Sequence, residues 1–498
     1  MAIEALSGWT KEQRNVVLAA YLGWMLDAFD FFLMVFVFRD IAKEFNTEVS
    51  SVAVAVVLTL AMRPIGAFIF GRAADRYGRR PTLAAVILCY SSLAFASGFS
   101  QNLIQLLVLR ALFGIAMGGE WGVGASLAME SIPPKARGLV SGILQSGYPS
   151  GYLVASVVYG LLYQYIGWRG MFMIGIAPAF LTFFILRNVK ESPAWTPKKV
   201  LGADALPTLT AYGRLVIYAV LLWVGAGLYA DQPTLAAILI AIPIVASIYL
   251  ATRDPAVWIE FFAVVAMLSV DYFSLTAHLI PTIMAIIYNV AGVLAGVFLK
   301  THWRIGLYAV LLMTGFNFFS HGTQDLYPTF LREQHGLTVR QISVIAVIFN
   351  VGAILGCLVG GGLSQVIGRR RQLALATLLS LVLLPFWANA ATVVTLAATA
   401  FLMQFLVQCT FGVMPAHLNE ISPPDARATF PGFTYQFGNM LAAGNATIQA
   451  TLAMWLGRDY GTGLAIVVGI GALLFFLLAI FGVEAKDTEM DAAVSPER

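Results

Sequence analysis

The sequence predicts an all-α polytopic membrane protein made of two six-helix pseudo-repeats with extra transmembrane helices between them. Three observations carry that prediction. Of the 498 residues, 59% are hydrophobic and only 11% charged, and the mean hydropathy is +0.81; soluble domains run at about 45–50% apolar and about 25% charged. Apolar stretches recur at lengths that cross about 30 Å of hydrocarbon. Polar landmarks of the first half also return in the second at a constant offset of 290 residues: Gly71, Gly78, Arg79 and Arg80 reappear as Gly361, Gly368, Arg369 and Arg370.

The first set of apolar stretches runs at roughly 16–38, 51–70, 82–99, 103–128, 139–164 and 169–187, the second at roughly 305–330, 341–363, 373–390, 392–415, 430–456 and 461–483. The offset holds without a gap further on, where Glu130, Pro133, Pro134, Ala136 and Arg137 return as Glu420, Pro423, Pro424, Ala426 and Arg427. It also lays Asp27 and Asp30 of span 1 on Asn317 and Ser320 of span 7. Residues 191–303 stand outside the repeat and hold four apolar runs near 214–230, 234–251, 256–276 and 279–299. The domain reading is therefore a six-helix half at 1–190, a central linker with inserted membrane segments at 191–303, a second half at 304–485 and a cytoplasmic tail at 486–498. Sixteen spans are expected, with fourteen as the alternative, because the run holding Glu260 and Asp271 is the weakest.

Basic residues set the expected orientation. Arg72, Arg76, Arg79 and Arg80, then Lys135 and Arg137, then Lys190, Lys198 and Lys199, then Arg369 to Arg371, Arg427 and Lys486 fall on alternate sides of successive spans. The positive-inside bias makes that side cytoplasmic, with both termini inside a cell (inner) membrane. Arg39, Lys43 and Arg169 form a minority on the other side. If all four central runs cross, Arg253 and the cluster Lys300, His302 and Arg304 also fall inside. Residues 1–15 show no cleavable signal pattern, so the first span is expected to direct insertion. The net charge of +4 reports orientation and gives no reason to invoke nucleic acid.

One span carries a polar load that lipid could not accept. Asn317-Phe-Phe-Ser320-His321-Gly-Thr323-Gln324-Asp325-Leu-Tyr-Pro-Thr329 lies in an otherwise apolar stretch, and each unpaired polar group in hydrocarbon costs on the order of several kcal/mol. At ~100° per residue, Asn317, Ser320, His321 and Gln324 fall within one helical arc with Asp325 at its edge. That face must look into a protein interior or a wet cavity. Arg63 sits midway along span 2, followed by Pro64 and Gly66, too deep to snorkel and therefore in need of an interior partner. Its planar guanidinium suits bidentate carboxylate recognition. The alternative is a structural pairing with Asp27 or Asp30, and Arg110 is a rival cation.

Gly71-Arg-Ala-Ala-Asp75-Arg76-Tyr-Gly78-Arg79-Arg80, Arg110-x-x-x-Gly114-x-x-x-Gly118-Gly119 and Glu130-x-x-Pro-x-x-x-Arg137-Gly138 resemble motifs of the major facilitator superfamily. The second copy of the loop motif has Gln365 where the first has Asp75. The run Asn317 to Thr329 is similar to the Asn-x-x-Ser/Thr-His-x-Ser/Thr-Gln-Asp-x-x-x-Thr motif of lactate and pyruvate permeases in the sialate:proton symporter family. The extra central spans instead resemble the sialic acid branch of that family. The resemblance implies a major facilitator fold, an arginine at Arg63 in the pathway and a pathway glutamine at Gln436.

Candidate substrate-binding residues are therefore Arg63, Asn317, His321, Gln324 and Gln436, with Gln145, Tyr148 and Tyr152 as lesser cavity-lining candidates. Gln436 has a plainer reading as an interhelical hydrogen-bonding group, as do many membrane glutamines. Proton-coupling candidates are Asp27, Asp30, Glu120, His321 and Asp325; His321 and Asp325 are one helical turn apart. A cytoplasmic gate is expected from Asp75, Arg76, Arg79, Arg80, Glu130 and Arg137, and from Arg369, Arg370, Glu420 and Arg427, with topology anchoring as the plainer reading. Gly114, Gly118 and Gly119 read as close-packing positions.

The expected function is proton-coupled symport of a small monocarboxylate of lactate or pyruvate type by alternating access, by a protein acting as a monomer. A sialic acid or other larger organic acid symporter is the alternative, and a non-transporting membrane sensor the remote one. No nucleotide-binding loop, His-Glu-x-x-His or nucleophile elbow is present, so an enzyme is not expected. Cys89, Cys357 and Cys409 are scattered and form no metal-ligand pattern. No cofactor or metal is expected; an ion gradient, protons by the resemblance, must drive any uphill work.

Overall fold

The computed structural model describes residues 9–196 and 303–490, with positions 234, 238, 241, 242 and 245 between them. Apart from those five, the central runs and with them Arg253, Glu260, Asp271, His278, Lys300 and His302 lie outside the described residues. So do Lys198, Lys199 and tail residues 491–498. Contacts divide the chain into two units, Met1–Pro197 with Leu311–Arg498, and Lys198–Val310; the description below concerns the first.

The fold is all-helical, with no strand among the described residues. The N-terminal half holds α1 (Lys11–Phe36), the short α2 (Phe38–Glu44), α3 (Val49–Tyr77), α4 (Arg79–Ser97), α5 (Leu103–Ser131), α6 (Arg137–Ile174, kinked at Gly167) and α7 (Ala179–Asn188). The C-terminal half holds α8 (Trp303–Gly322), α9 (Tyr327–Glu333), α10 (Val339–Ile367), α11 (Arg369–Ala388), α12 (Val393–Phe411), α13 (Met414–Glu420), α14 (Thr429–Leu441), α15 (Asn445–Trp455) and α16 (Tyr460–Phe481). Spans 10 and 11 of the sequence reading are thus each broken in two. The expected continuous span 305–330 stops at Gly322 and resumes at Tyr327.

The 290-residue offset is a structural repeat. Added to the bounds of α3 it gives the bounds of α10, and Gly78 and Gly368 end these helices with φ of 108° and 96° and ψ of 152° and 159°. That backbone region is open essentially only to glycine. It lets α4 and α11 start at the next residue, so Arg79 and Arg369 occupy equivalent first turns. Capping boxes at Thr10–Gln13 and Thr338–Gln341 satisfy two of the other helix starts.

Outward faces carry large apolar side chains such as Val108, Phe180, Val382 and Ile470, as lipid contact requires. Inside each half, packing is set by glycine. A Cβ at Gly118 would lie 2.0 Å from the Arg63 carbonyl oxygen, and one at Gly66 would lie 1.7 Å from that of Ile115, so α3 and α5 touch backbone to backbone. Gly360 does the same against the Cys409 carbonyl between α10 and α12, at 2.0 Å. Because the α3–α5 contact fixes the backbone of Arg63, Gly118→Ala is expected to force the helices apart. It should cost about 1–3 kcal/mol and lower the unfolding temperature; an unchanged melting curve would contradict this packing.

The loops segregate as the alternation of spans demands. At one end, Arg169 donates to the carbonyls of Gly98 and Ser100 and to Glu44, tying three loops together. Hydrogen bonds from Arg169 and from the Trp168 indole hold the Glu44 carboxyl below its usual range. The other end, called here the basic end, gathers the arginine-rich loops.

Candidate functional site

Arg63 projects from the middle of α3 and is 2% exposed. Pro64 follows it and has no N–H to give the carbonyl one turn back, which loosens the helix locally. Its Nη2 lies 2.8 Å from Met117 Sδ and its guanidinium carbon 5.2 Å from the Phe31 ring centroid, while Nε has no hydrogen-bond partner. Among the described residues no carboxylate forms an ion pair with it. Asp27, Glu120 and Tyr148 of its own half lie within electrostatic range of it, as do His321 and Tyr435 of the other half. This is a cation held in a protein interior, with one nitrogen spent on a thioether and Nε without a partner.

The acids beside it are equally underused. Asp27, Asp30 and Glu120 are almost wholly buried, and none of their carboxyl oxygens has a hydrogen-bond partner. Glu120 on α5 reaches toward α1 at Gly23, where a Cβ would meet its Oε1 at 2.5 Å. Asp30 lies within range of Arg110 and Asp27, and the unpaired Tyr90 hydroxyl faces the same cluster. Arg110 itself stacks on Phe113, with its guanidinium carbon 3.9 Å from the ring centroid, and so is enclosed by α5 and its neighbours.

In the C-terminal half, His321 Nδ1 lies 3.2 Å from Asp325 Oδ1, and Nε2 lies 3.0 Å from Asn439 Oδ1 of α14. The side chains of His321 and Asp325 keep 33% and 39% exposure, so this pair is open where Arg63 is closed. Because α8 ends at Gly322, Gln324 does not continue the His321 face as a regular helix would place it. Its amide donates to Ser320 Oγ at 3.3 Å and to Gln404 Oε1 at 3.2 Å. Asn317 is 1% exposed and its Nδ2 donates to the Met313 carbonyl. Gln436 is 1% exposed with both amide atoms unpaired.

Aromatic rings line the space between these groups. Tyr148 packs against Trp24 and Phe32 at centroid distances of 5.3 and 5.5 Å, and Phe32 meets Tyr152 at 4.8 Å. Trp121 packs on Tyr435 of the opposite half at 4.6 Å while its indole N–H donates to Gln145 Oε1 at 2.7 Å. These rings set flat apolar faces beside the polar groups of the interior.

The expected gate residues divide into two kinds. Asp75 joins the halves: its carboxylate accepts the backbone N–H groups of Ala428 and Thr429 at 3.0 and 3.1 Å and the Thr429 hydroxyl at 2.6 Å. A carboxylate at the N-terminus of α14 is favoured by the unpaired N–H groups and by the helix dipole. Gln365, its repeat counterpart, accepts Gly138 N–H at 3.0 Å. Ser126 donates to Asn419 and to the Arg427 carbonyl, both at 2.9 Å, and Ser141 accepts Ala416 N–H. These hydrogen bonds join the two halves at the basic end.

The Arg79–Glu130 and Arg369–Glu420 pairs instead lie within one half each, joining α4 to α5 and α11 to α13. Arg80 donates to the Leu186 carbonyl and Arg370 to those of Ala479 and Ile480, anchoring helix ends. Arg76 is exposed over Tyr77. Arg137 donates to the Met129 carbonyl at 2.9 Å and to that of Thr488, and Arg427 donates to the Met490 carbonyl. Asp75→Asn should weaken the junction of the halves at the basic end by about 1–2 kcal/mol. Spin labels at exposed Arg76 and Pro424 should then report a longer mean distance; identical distributions would remove Asp75 from gating.

Sequence reasoning missed several members. Glu191 accepts the backbone N–H groups of Arg79 and Arg80, and Glu484 those of Arg369 and Arg370. Glu191 and Glu484 differ by three residues from the 290 offset, which hid the equivalence. Asn439 and Gln404 were also passed over, although a polar amide inside an apolar stretch was signal enough.

The family model for the Major Facilitator Superfamily matches residues 20–327 and 310–496. The chain is 25% identical to a carboxylic acid transporter protein homolog of Saccharomyces cerevisiae over 99% of its own length and 71% of that protein's. It is 32% identical to the sialic acid transporter NanX of Escherichia coli, over 39% of this chain and 49% of that one. Among solved structures, the proton:xylose symporter XylE superposes with a TM-score of 0.65 at 15% identity, covering 97% of this chain and 98% of that one. At that identity the likeness speaks for the fold alone. With two repeats related by a constant offset and a family model that matches along most of its length, the chain belongs to the Major Facilitator Superfamily.

Proposed function

We propose that the protein is a secondary active transporter that moves a small monocarboxylate, of lactate or pyruvate type, together with a proton by alternating access. The observation that carries this reading is Arg63: a buried guanidinium whose Nε has no partner, within electrostatic range of three kinds of partner from both halves. A substrate carboxylate completes its hydrogen bonding, and a monoanion leaves the nearby acids free to carry the proton. The likeness to a carboxylic acid transporter homolog along 99% of this chain supports an organic acid as substrate.

In this reading Arg63 grips the carboxylate, while His321, Asn317, Gln324 and Gln436 present polar atoms from the opposite half. Asp27, Asp30, Glu120, His321 and Asp325 hold the coupled proton. The basic end is cytoplasmic in an inner membrane, so the closed Asp75–Thr429 contact belongs to a state that admits substrate from outside. The protein works as a monomer and needs no cofactor beyond the proton gradient. Sialic acid is the second reading, favoured by the partial likeness to NanX.

The relay is tested at Asp325, which is open and paired with His321. Asp325→Asn should retain exchange of labelled for unlabelled substrate in liposomes while losing uphill uptake driven by a proton gradient. Undiminished pH-driven accumulation would exclude Asp325 from the relay.

A further inference from the structure

At the basic end a groove of about 690 Å³ lies between the start of α11 and the end of α16, lined among others by Val366, Arg370, Arg371, Ile480, Glu484 and Lys486. We propose that it binds the phosphate headgroup of an anionic diacyl phospholipid. The reading rests on the membrane placement of the spans and is independent of the transported substrate.

Three cations face this groove and its acid is already engaged. Glu484 is spent on the backbone N–H groups of Arg369 and Arg370. Arg370 is held in place by the Ala479 and Ile480 carbonyls. Arg371 makes no hydrogen bond or ion pair among the described residues, and Lys486 Nζ has only a long 3.7 Å approach to Asp487, which is itself held by Gln365. Two cations are thus unspent beside a third that is fixed, the kind of basic pocket that suits a lipid phosphate.

The flanks choose lipid over a soluble phosphate. Val366, Ile480 and Phe481 are 54%, 36% and 81% exposed, so the apolar outer surfaces of α10 and α16 run directly up to the charged rim. Acyl chains would cover that surface while the headgroup reaches Arg371 and Lys486. The first repeat lacks one of these cations, because the counterpart of Arg371 is Pro81.

The site also touches the junction of the halves. Lys486 belongs to a strap whose Thr488 carbonyl accepts Arg137 of the N-terminal half and whose Met490 carbonyl accepts Arg427. A bound headgroup holds this strap in place and so favours closure of the basic end.

The test is native mass spectrometry of the full-length protein with phosphatidylglycerol and phosphatidylcholine at equal concentration, with glycerol 3-phosphate as the soluble competitor. Phosphatidylglycerol should be retained preferentially. The double variant Arg371→Gln, Lys486→Gln should bind it about 20-fold more weakly at an unchanged unfolding temperature, since each basic group near a membrane surface contributes on the order of a fivefold preference. Equal retention of the two lipids, or undiminished phosphatidylglycerol binding in the variant, would overturn the proposal. Displacement by glycerol 3-phosphate would overturn it in favour of a soluble phosphate ester.

Discussion

Arg63→Lys is expected to abolish concentrative carboxylate uptake while leaving the protein folded. Lysine keeps the charge but replaces a planar fork of donors with a single ammonium, so two parallel hydrogen bonds to a carboxylate become one. A lost charge-assisted hydrogen bond is worth about 1.5–3 kcal/mol, which translates to roughly 10- to 150-fold in affinity. The backbone at this position is set by the Gly118 contact and not by the guanidinium, so helix packing should survive. Equilibrium binding of the substrate separates affinity from turnover. An unchanged dissociation constant would mean that Arg63 is a structural cation and that the carboxylate is held elsewhere.

The largest stability effect is expected at Glu420. Its carboxylate takes Arg369 Nε at 2.9 Å and Nη2 at 2.8 Å, and both side chains are completely buried. Removing one member of such a pair leaves the other charge buried and uncompensated, at a cost of about 3–5 kcal/mol. Glu420→Gln should therefore lower the unfolding temperature markedly in detergent. The repeat supplies an internal control. Arg79 is bound to Glu130 in the same geometry, at 3.1 Å for each bond, but also lies 3.2 Å from Asp75. Where the first copy has that second acid, the second has neutral Gln365, at 3.0 Å from Arg369. Glu130→Gln should accordingly be the milder of the two; the reverse order would contradict this reading of the asymmetry.

The same residues show how far the sequence could be read. Gapless matches between loops fixed the repeat in advance, because a two-fold related fold needs the same turn at Gly78 and Gly368. The depth of Arg63 was also legible, since a charge at mid-span demands an interior. The local break at Gly322 was missed although Gly322 and Pro328 are stop signals, because the apolar run continues past them at spanning length. The placement of Asp75 against Thr429 was not legible, because it depends on how two halves dock across 354 residues. The arginines of the loop motifs look alike in sequence and differ only in reach: Arg79 and Arg369 find buried acids, Arg80 and Arg370 find helix-end carbonyls, and Arg76 faces outward. Polar symmetry fails where function is expected, for Arg63 corresponds to Ala353 and His321 to Phe31. That division puts the cation proposed to bind the carboxylate in one half and the histidine proposed for the proton relay in the other.

The most direct measurement is uptake by the purified protein in liposomes, comparing labelled lactate and sialic acid with and without an inward proton gradient while internal pH is recorded. The account predicts gradient-driven accumulation of lactate with matching internal acidification. Accumulation of sialic acid alone, or lactate entry that neither follows the gradient nor moves protons, would contradict it.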